Sequence, residues 1–423
     1  MKRIFTLLIL PFGCLLASAQ TPRKDIAADP FLSGGNMKVY SEPSGVKYTD
    51  APTGYKPCYL SAYARHGSRY HWRTKGYSGP YETLQKADKA GKLTATGKEV
   101  YNIVKKLYKL SNNHIGELTK LGVQQHRGIA ERMFRNFPEI FKGKVCVTAQ
   151  STMSMRCALS MMNECWTLQG HNAKLKIVAN ASQSYFKTLN EDPKDIVQYR
   201  NDKIVNDKLD AVLNKVVLPD RFISSVFNDT AYVSHNIKKF DFFTEVWELA
   251  NMMEDQNLNL NLFKYFTKDE IYNRWYYENF CNYVQYGPSS ITHNFMPYRQ
   301  TTLLRNFIET ADTCLASPRK NVTLRFGHDT AVLPFVSLLR LNDTGFQTED
   351  AEECATHWQN YRICPMAANI QWVFYRKAGS PDLIKIMLNE KECTLPIQST
   401  TTPYYKWTDV RAYCESILEK RPK

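Results

Sequence analysis

The chain has 423 residues, of which 43% are hydrophobic, enough for one large domain with an insertion or for two domains, and too apolar for a disordered chain. Lysine and arginine number 55 against 41 acidic residues, a formal net charge of +14 that attracts anions. The basic residues are dispersed, without an RNP-like, zinc-finger or other nucleic-acid motif, so no nucleic acid is expected as a partner and a small polyanion is favoured.

Met1 to Ala19 joins Lys2 and Arg3 to an apolar run, Ile4 to Leu16, and to the small residues Ala17-Ser18-Ala19, the pattern of a cleavable secretory signal over residues 1–19. The run is too short to cross a bilayer, and no later segment approaches the length required. An exported protein is expected, periplasmic or extracellular, with no membrane span. Cys14 offers a lipidation site, although Pro11-Phe12-Gly13 before it fits a lipobox poorly. Ten cysteines follow, with no C-x-x-C spacing to argue for a zinc ribbon or a thioredoxin-like site. In an exported chain that even number permits up to five disulfides, with buried free thiols as the alternative.

Residues 20–55 carry Pro30, Gly34-Gly35 and Pro43-Ser44-Gly45 as breakers and read as an irregular covering arm. Cys58 to Ala64, rich in tyrosine and small apolar residues between Pro57 and Gly67, predicts a strand. The loop beyond it holds Arg65, His66 and Arg69. Two guanidiniums around an imidazole, with a glycine to turn the backbone, can converge on one tetrahedral dianion while the histidine attacks phosphorus in line. A solvated basic turn is the other reading of the same residues. Tyr81 to Ala90 and Thr96 to Leu110 have helical spacing, the second with Val100, Ile103, Val104 and Leu107 on one face. Gly116 then opens a helix running to about Phe137, its buried stripe including Leu121, Ile129 and Met133.

Lys144 to Ala149 predicts a core strand, and Ser151 to Arg156 leads off its end into a helix, Met155 to Gln169. Arg156 lies at the positive end of that helix dipole, a mildly costly place for a cation unless an anion is near. From Ile177 to Pro297 charged helical stretches alternate with aromatic-rich ones, so residues 171–297 read as a mostly helical insertion over the pocket. Arg299 to Leu315 is a further helix. Asn321 to Phe326 predicts a second core strand, closed by Gly327-His328-Asp329-Thr330 before an apolar helix, Ala331 to Leu341. His328-Asp329 repeats the arrangement at His66, though such a pair also serves as an ordinary N-cap. Ligands of open α/β sheets sit beyond the carboxyl ends of the strands, so the residues after the Cys58, Lys144 and Asn321 strands are expected at one crevice. Ile370 to Arg376 and Leu383 to Leu388 read as a hairpin, and Trp407 to Glu419 as the last helix.

Four blocks in this order resemble the histidine acid phosphatases, the branch of the histidine phosphatase superfamily that holds phytases and multiple inositol polyphosphate phosphatases. They are Arg65-His66-Gly67-Ser68-Arg69, Gly-x-Leu-Thr-x-x-Gly over 116–122, Ser-x-x-x-x-Arg over 151–156, and Gly327-His328-Asp329; Leu388-Asn389-Glu390 is similar to the family's closing segment. The resemblance implies an α/β fold: a phosphoglycerate-mutase-like three-layer domain with a central, mainly parallel sheet, over 56–170 and 298–423, plus the helical insert. It implies that His66 forms a phosphohistidine, that Asp329 protonates the leaving alkoxide, and that Arg65, Arg69, Arg156 and His328 hold the phosphoryl oxygens, with no cofactor and no metal. A site able to raise the carboxyl pKa would keep Asp329 protonated at mildly acidic pH. His71 stands where the inositol polyphosphate branch usually has proline, and His328-Asp329-Thr330 replaces its His-Ala-Glu, as in phytases and general acid phosphatases. Arg73 and Lys75 lie where phytases place further cations for a second phosphate, or in a solvated basic loop. The expected protein is a monomeric phosphomonoesterase acting on a small phosphorylated substrate, phytate or another inositol polyphosphate. The alternatives are a broad acid phosphatase for sugar phosphates or nucleotides and a non-catalytic anion-binding surface protein.

Overall fold

The computed structural model describes residues 22–422, so the expected signal segment, residues 1–19, and Cys14 lie outside the described residues. A mixed sheet runs in the order β3-β2-β4-β1-β5-β6-β7, with β8 pairing β6. Its strands are β1 (Lys56–Arg65), β2 (Val145–Ser151), β3 (Leu175–Ala181), β4 (Lys320–Gly327), β5 (Asn369–Arg376), β6 (Leu383–Leu388), β7 (Lys391–Glu392) and β8 (Tyr404–Lys406). The pairings β3-β2, β2-β4 and β4-β1 are parallel, and those from β5 onward are antiparallel. The mainly parallel core expected of the family is therefore there, carrying an antiparallel flank that begins at the Ile370 hairpin.

Alternation along β1 makes the layers. Leu60, Ala62 and Ala64 pack on one face with Ile129 and Met133 of α3 (Lys120–Asn136) and Met161 and Leu168 of α4 (Met155–His171). Tyr59 and Tyr63 face the other way, toward Leu304 and Phe307 of α7 (Thr301–Ala316), Val332 and Phe335 of α8 (Asp329–Leu338) and Val410 of α9 (Trp407–Glu419). Each fully buried side chain of this size contributes about 1.5–3 kcal/mol of transfer free energy, so the two interfaces fix the order of the layers.

Three expectations about organisation change. First, α1 (Lys75–Lys89) starts six residues ahead of the predicted helix because buried Tyr77 anchors its first turn. With α2 (Ala95–Ser111) it packs against Phe222 and, in α5 (Lys239–Asp255), Trp247 and Phe243, in a separate helical core with Trp275 of α6 (Lys268–Tyr286). An apolar stripe specifies burial but not the partner, and here the partner is the helical layer rather than the sheet. Second, the sheet extends past position 170, since β3 pairs in register with β2 from Val145-Leu175 to Ser151-Ala181. As an edge strand with most side chains exposed, β3 lacks the apolar alternation that would announce it. Third, the arm is not wholly irregular. It holds a helix over Pro22–Ala28 and a 3-10 segment over Pro30–Met37, where Pro30 takes the first helical position after an Asp29 cap.

All ten cysteines among the described residues are free thiols, so no disulfide is formed there. They are dispersed over different packing clusters, Cys165 of α4 in the layer it shares with α3 and Cys354, Cys364, Cys393 and Cys414 on the opposite face. Burial pushes the thiols of Cys165, Cys364 and Cys393 up to about 12, which leaves them inert at neutral pH.

Candidate active site

The β1 and β4 strands end side by side, with Arg65 opposite Gly327 in the parallel register, and the His66 N–H donates to the Gly327 carbonyl at 3.0 Å. That bond ties the two histidine-bearing loops together, leaving the His66 and His328 ring centroids 5.7 Å apart. The loop from Gly67 to Arg69 is clamped from behind by the start of α3. Thr119 donates to the Ser68 carbonyl through both its N–H, at 2.9 Å, and its hydroxyl, at 3.0 Å, while Gln125 bonds the Ser68 N–H and hydroxyl. Gly67 and Gly122 meet there so closely that a Cβ on Gly67 would lie 2.6 Å from the Gly122 carbonyl oxygen. On residues alone Gly116 to Gly122 is only a helix start; in space it is the seat of the catalytic-type loop.

His66 is fully buried. Its Nδ1 lies 2.9 Å from the Gly67 carbonyl, an acceptor, which places the proton on Nδ1 and leaves the Nε2 lone pair free. Burial first, then Arg65, Arg156 and Arg69, hold its pKa well below the usual histidine value, so the imidazole is neutral and nucleophilic. His328 is likewise driven down to about 4, mainly by burial and Arg156. Its Nε2 is 3.2 Å from the Thr152 hydroxyl.

The three arginines are unevenly satisfied. Arg65 bonds Asp329 Oδ2 at 3.1 Å, the Cys364 carbonyl at 3.0 Å and the Asn36 carbonyl. Among the described residues Arg69 reaches only the Tyr70 carbonyl, at 3.1 Å, and its pKa is depressed to about 10 by burial and by Arg65 and Arg156. The Nε of Arg65, of Arg69 and of Arg156 is buried without a hydrogen-bond partner among the described residues. Three orphaned guanidinium donors around a neutral imidazole are what an anion with several oxygens would satisfy. Asp329, at the first turn of α8, completes the group. Burial pushes its pKa up, but Arg65, Arg69 and His328 outweigh that and leave the carboxyl below the usual aspartate range. The expectation of a raised aspartate is thus reversed in this constellation, because the surrounding cations dominate desolvation.

One cavity of about 480 Å³ is lined by His66, Arg69, Arg73, Arg156, His328 and Asp329. Arg65 does not line it and reaches it through its bond to Asp329 Oδ2. Lys75 is exposed and does not line it; its position at the start of α1 turns it to solvent. Among the described residues no group of three or more His, Cys, Asp or Glu side chains is spaced to ligate a metal, and no helix is long and apolar enough to cross a membrane.

Residues 60–389 match the family model of the histidine phosphatase superfamily, branch 2. The chain belongs to that family. It is accordingly a phosphatase. No curated protein sequence matches it. Among solved structures it resembles the Bifidobacterium longum multiple inositol polyphosphate phosphatase in complex with inositol hexasulfate, at 17% identity over 90% of this chain and 97% of that one, with a TM-score of 0.68. The D. castellii phytase matches at 15% identity over 92% and 86%, with a TM-score of 0.67. At such identities the likeness is one of fold.

Two features of this phosphatase escaped the sequence. Asn36 of the arm donates to Asp329 Oδ2 at 2.6 Å and lines the cavity, although 293 positions separate the pair. Glu248 of α5, half-buried, accepts from His71 Nε2 at 3.1 Å and from Arg73 at 3.0 Å. His71 in turn accepts the Arg73 N–H on Nδ1 at 3.0 Å. The residue that departs from the family pattern therefore moors the end of the loop to the helical layer, where the same Glu248 carboxylate pairs the Arg73 guanidinium. The cue in the sequence was the departure itself.

Proposed function

We propose that this phosphatase is an exported phosphomonoesterase that works through a phosphohistidine and takes inositol hexakisphosphate or a related polyphosphate. The observation that carries the reading is a neutral His66 with a free Nε2, set among three arginines whose Nε donors have no partner. The His66 Nε2 pair attacks phosphorus while the P–O bond to the leaving oxygen breaks. Protonated Asp329 gives its proton to that oxygen, and Arg65, Arg69, Arg156 and His328 offset charge on the equatorial oxygens. Water then attacks the phosphohistidine, Asp329 takes its proton, the N–P bond breaks, and inorganic phosphate leaves. A phosphate dianion on the arginines cancels the field that keeps the Asp329 carboxyl ionised, so binding of the substrate itself raises the acid's pKa.

Support for a polyphosphate comes from the cationic pocket and from a fold neighbour solved with inositol hexasulfate. A second reading, a broad acid phosphatase, is favoured by one observation: beyond Arg69 and Arg156 the cavity wall holds Glu248 and Glu278, and Arg73 is already paired. Phosphate release from phytate and from glucose phosphate by the mature protein, across pH 3 to 8 with EDTA present, separates the two. Rapid release from phytate with trapping of an acid-labile phosphoprotein is expected. An active enzyme that ignores phytate moves the substrate to simple monoesters, and an Asp329→Asn variant that cleaves alkyl phosphates as fast as wild type removes Asp329 as the acid.

A further inference from the structure

Asp329 has one partner that no element of the α/β core supplies. Asn36 closes the 3-10 segment Pro30–Met37, and its side chain and main chain both enter the acid's surroundings: Nδ2 donates to Asp329 Oδ2 at 2.6 Å, and the carbonyl accepts from Arg65. The other terminal nitrogen of Arg65 reaches the same Oδ2 at 3.1 Å. The arm is held so that Asn36 can do this. Gly35 takes φ 57, and a Cβ on it would lie 2.4 Å from Asn360 Nδ2; one on Gly34 would lie 2.6 Å from Asn251 Oδ1. Past Asn36, the Lys38 ammonium pairs with Glu254 at 2.6 Å and the Lys38 carbonyl accepts from the Met366 N–H at 2.8 Å. The segment is seated on both sides of the residue.

A carboxylate offers about four in-plane acceptor positions, two on each oxygen. On Asp329 both positions of Oδ2 are taken, by Arg65 and Asn36, and one of Oδ1 is taken by the Thr330 N–H at 3.1 Å. The single open position is on Oδ1. We propose that Asn36 is a positioning residue for the acid step, fixing the transferable proton of Asp329 on Oδ1 and returning the carboxyl to its ionised form for the water step. In the first half-reaction the Oδ1–H bond breaks, its electron pair stays on Oδ1, and the proton goes to the leaving oxygen; in the second, a proton from water restores it.

This rests on the phosphatase mechanism proposed above, and the test keeps the two apart. Two substrates are compared: p-nitrophenyl phosphate, whose leaving group departs without a proton, and glucose phosphate, whose alkoxide needs one. For Asn36→Ala, kcat/KM on glucose phosphate is expected to fall roughly 10-fold or more while p-nitrophenyl phosphate stays within about 3-fold, as loss of an oriented acid requires. Because a donor to the carboxylate is gone, the alkaline limb of the glucose phosphate profile moves up by about one pH unit. Asn36→Asp preserves the shape of the residue should the smaller side chain unseat the arm, and places a second carboxyl beside Asp329, moving the limb further in the same direction. Equal losses on both substrates with the limb unmoved in both variants would make Asn36 a strut and overturn the assignment. His66→Ala retaining wild-type release from p-nitrophenyl phosphate would remove the mechanism, and this proposal with it.

Discussion

At the amino ends of β2, β3 and β4, Lys142, Lys144, Lys174, Lys176, Arg319 and Lys320 line a cleft of about 590 Å³ that contains no carboxylate. At the carboxyl ends of β1, β2 and β4, three arginines gather around His66. By count the first end is the more cationic, and all six of its cations are exposed. Water already solvates them, and Lys320 bonds the carbonyls of Glu139 at 2.8 Å and Lys142 at 3.2 Å. The carboxyl end differs in desolvation and convergence. Its guanidiniums have buried donors without partners, a state that costs free energy until an anion arrives. Number of charges attracts a phosphate from a distance, whereas unsatisfied and aligned donors hold it.

The largest effect is expected from removing His66, the proposed nucleophile. His66→Ala is expected to lower kcat by roughly 10⁴-fold or more, since in the phosphohistidine mechanism proposed above His66 acts as a unit with the rest of the site. Next comes Arg156→Ala. The Arg156 side chain makes no ion pair among the described residues, so its loss disturbs little structure, and the expected cost is about 10²–10³ in kcat, the scale of one lost oxyanion donor. Stopped-flow phosphate release with a folding check by circular dichroism measures both.

Asp255 tests the electrostatics of the carboxyl end from the opposite sign. It is fully buried at the end of α5, with neither oxygen within hydrogen-bond distance of a partner among the described residues, and burial raises its carboxyl from 3.8 to about 7, with the nearby Ser68 hydroxyl, Arg69 and Arg65 opposing and Glu254 assisting. Tyr77 of α1 feels its charge. The unfolded carboxyl ionises near 3.8 and the folded one near 7, so between these values the folded chain keeps a proton the unfolded chain has lost. This group therefore costs stability as pH rises from about 4 to about 7, and by a constant amount above that, with a ceiling of about 4 kcal/mol. Asp255→Asn removes the cost but leaves an unpartnered amide worth about 1–3 kcal/mol in the other direction. A small net gain is expected at pH 8 and a loss at pH 5; a melting-temperature difference that does not change with pH would show that Asp255 is ionised throughout.

His66, Arg69, Arg156 and Asp329 were legible because each lies within five residues of the carboxyl end of a β-rich run, in the loop or the first helical turn that follows it, so local order and the general geometry of α/β sheets suffice to bring them together. Arg325 shows the limit of residue type. It lies on β4 two positions before Gly327, is as buried as Arg65, and has its pKa lowered to about 10 like that of Arg69. Yet it bonds Asn306 at 2.7 Å, Ser61 at 2.9 Å and Thr310 at 2.7 Å, and is a satisfied structural cation facing away from the pocket. Asn36 and Glu248 were illegible for a different reason. They reach the site through the packing of the arm and of α5, across 293 and 177 positions, and nothing local distinguishes them from other polar residues. The layer of α1 and α2 was missed in the same way, since Val100, Val104 and Leu107 declare a buried face without naming its neighbour.

The mildest perturbation lies at the other end of the sheet. Lys174→Glu with Lys176→Glu reverses two charges of the amino-end cleft, a net change of about −4, without touching a buried contact, since both side chains are exposed. A seven-residue strand is about 23 Å long, whereas the Debye length is about 8 Å at physiological ionic strength, so the active pocket should barely register the change. At that ionic strength kcat/KM on a phosphomonoester is expected to stay within about 2-fold of wild type. At 10 mM salt the Debye length grows to about 30 Å, and the reversed charges then weaken steering of the anionic substrate, lowering kcat/KM while leaving kcat unchanged. A fall in kcat itself, or a large loss at physiological salt, would mean that the two ends are coupled through the sheet and that exposed lysines there do more than attract.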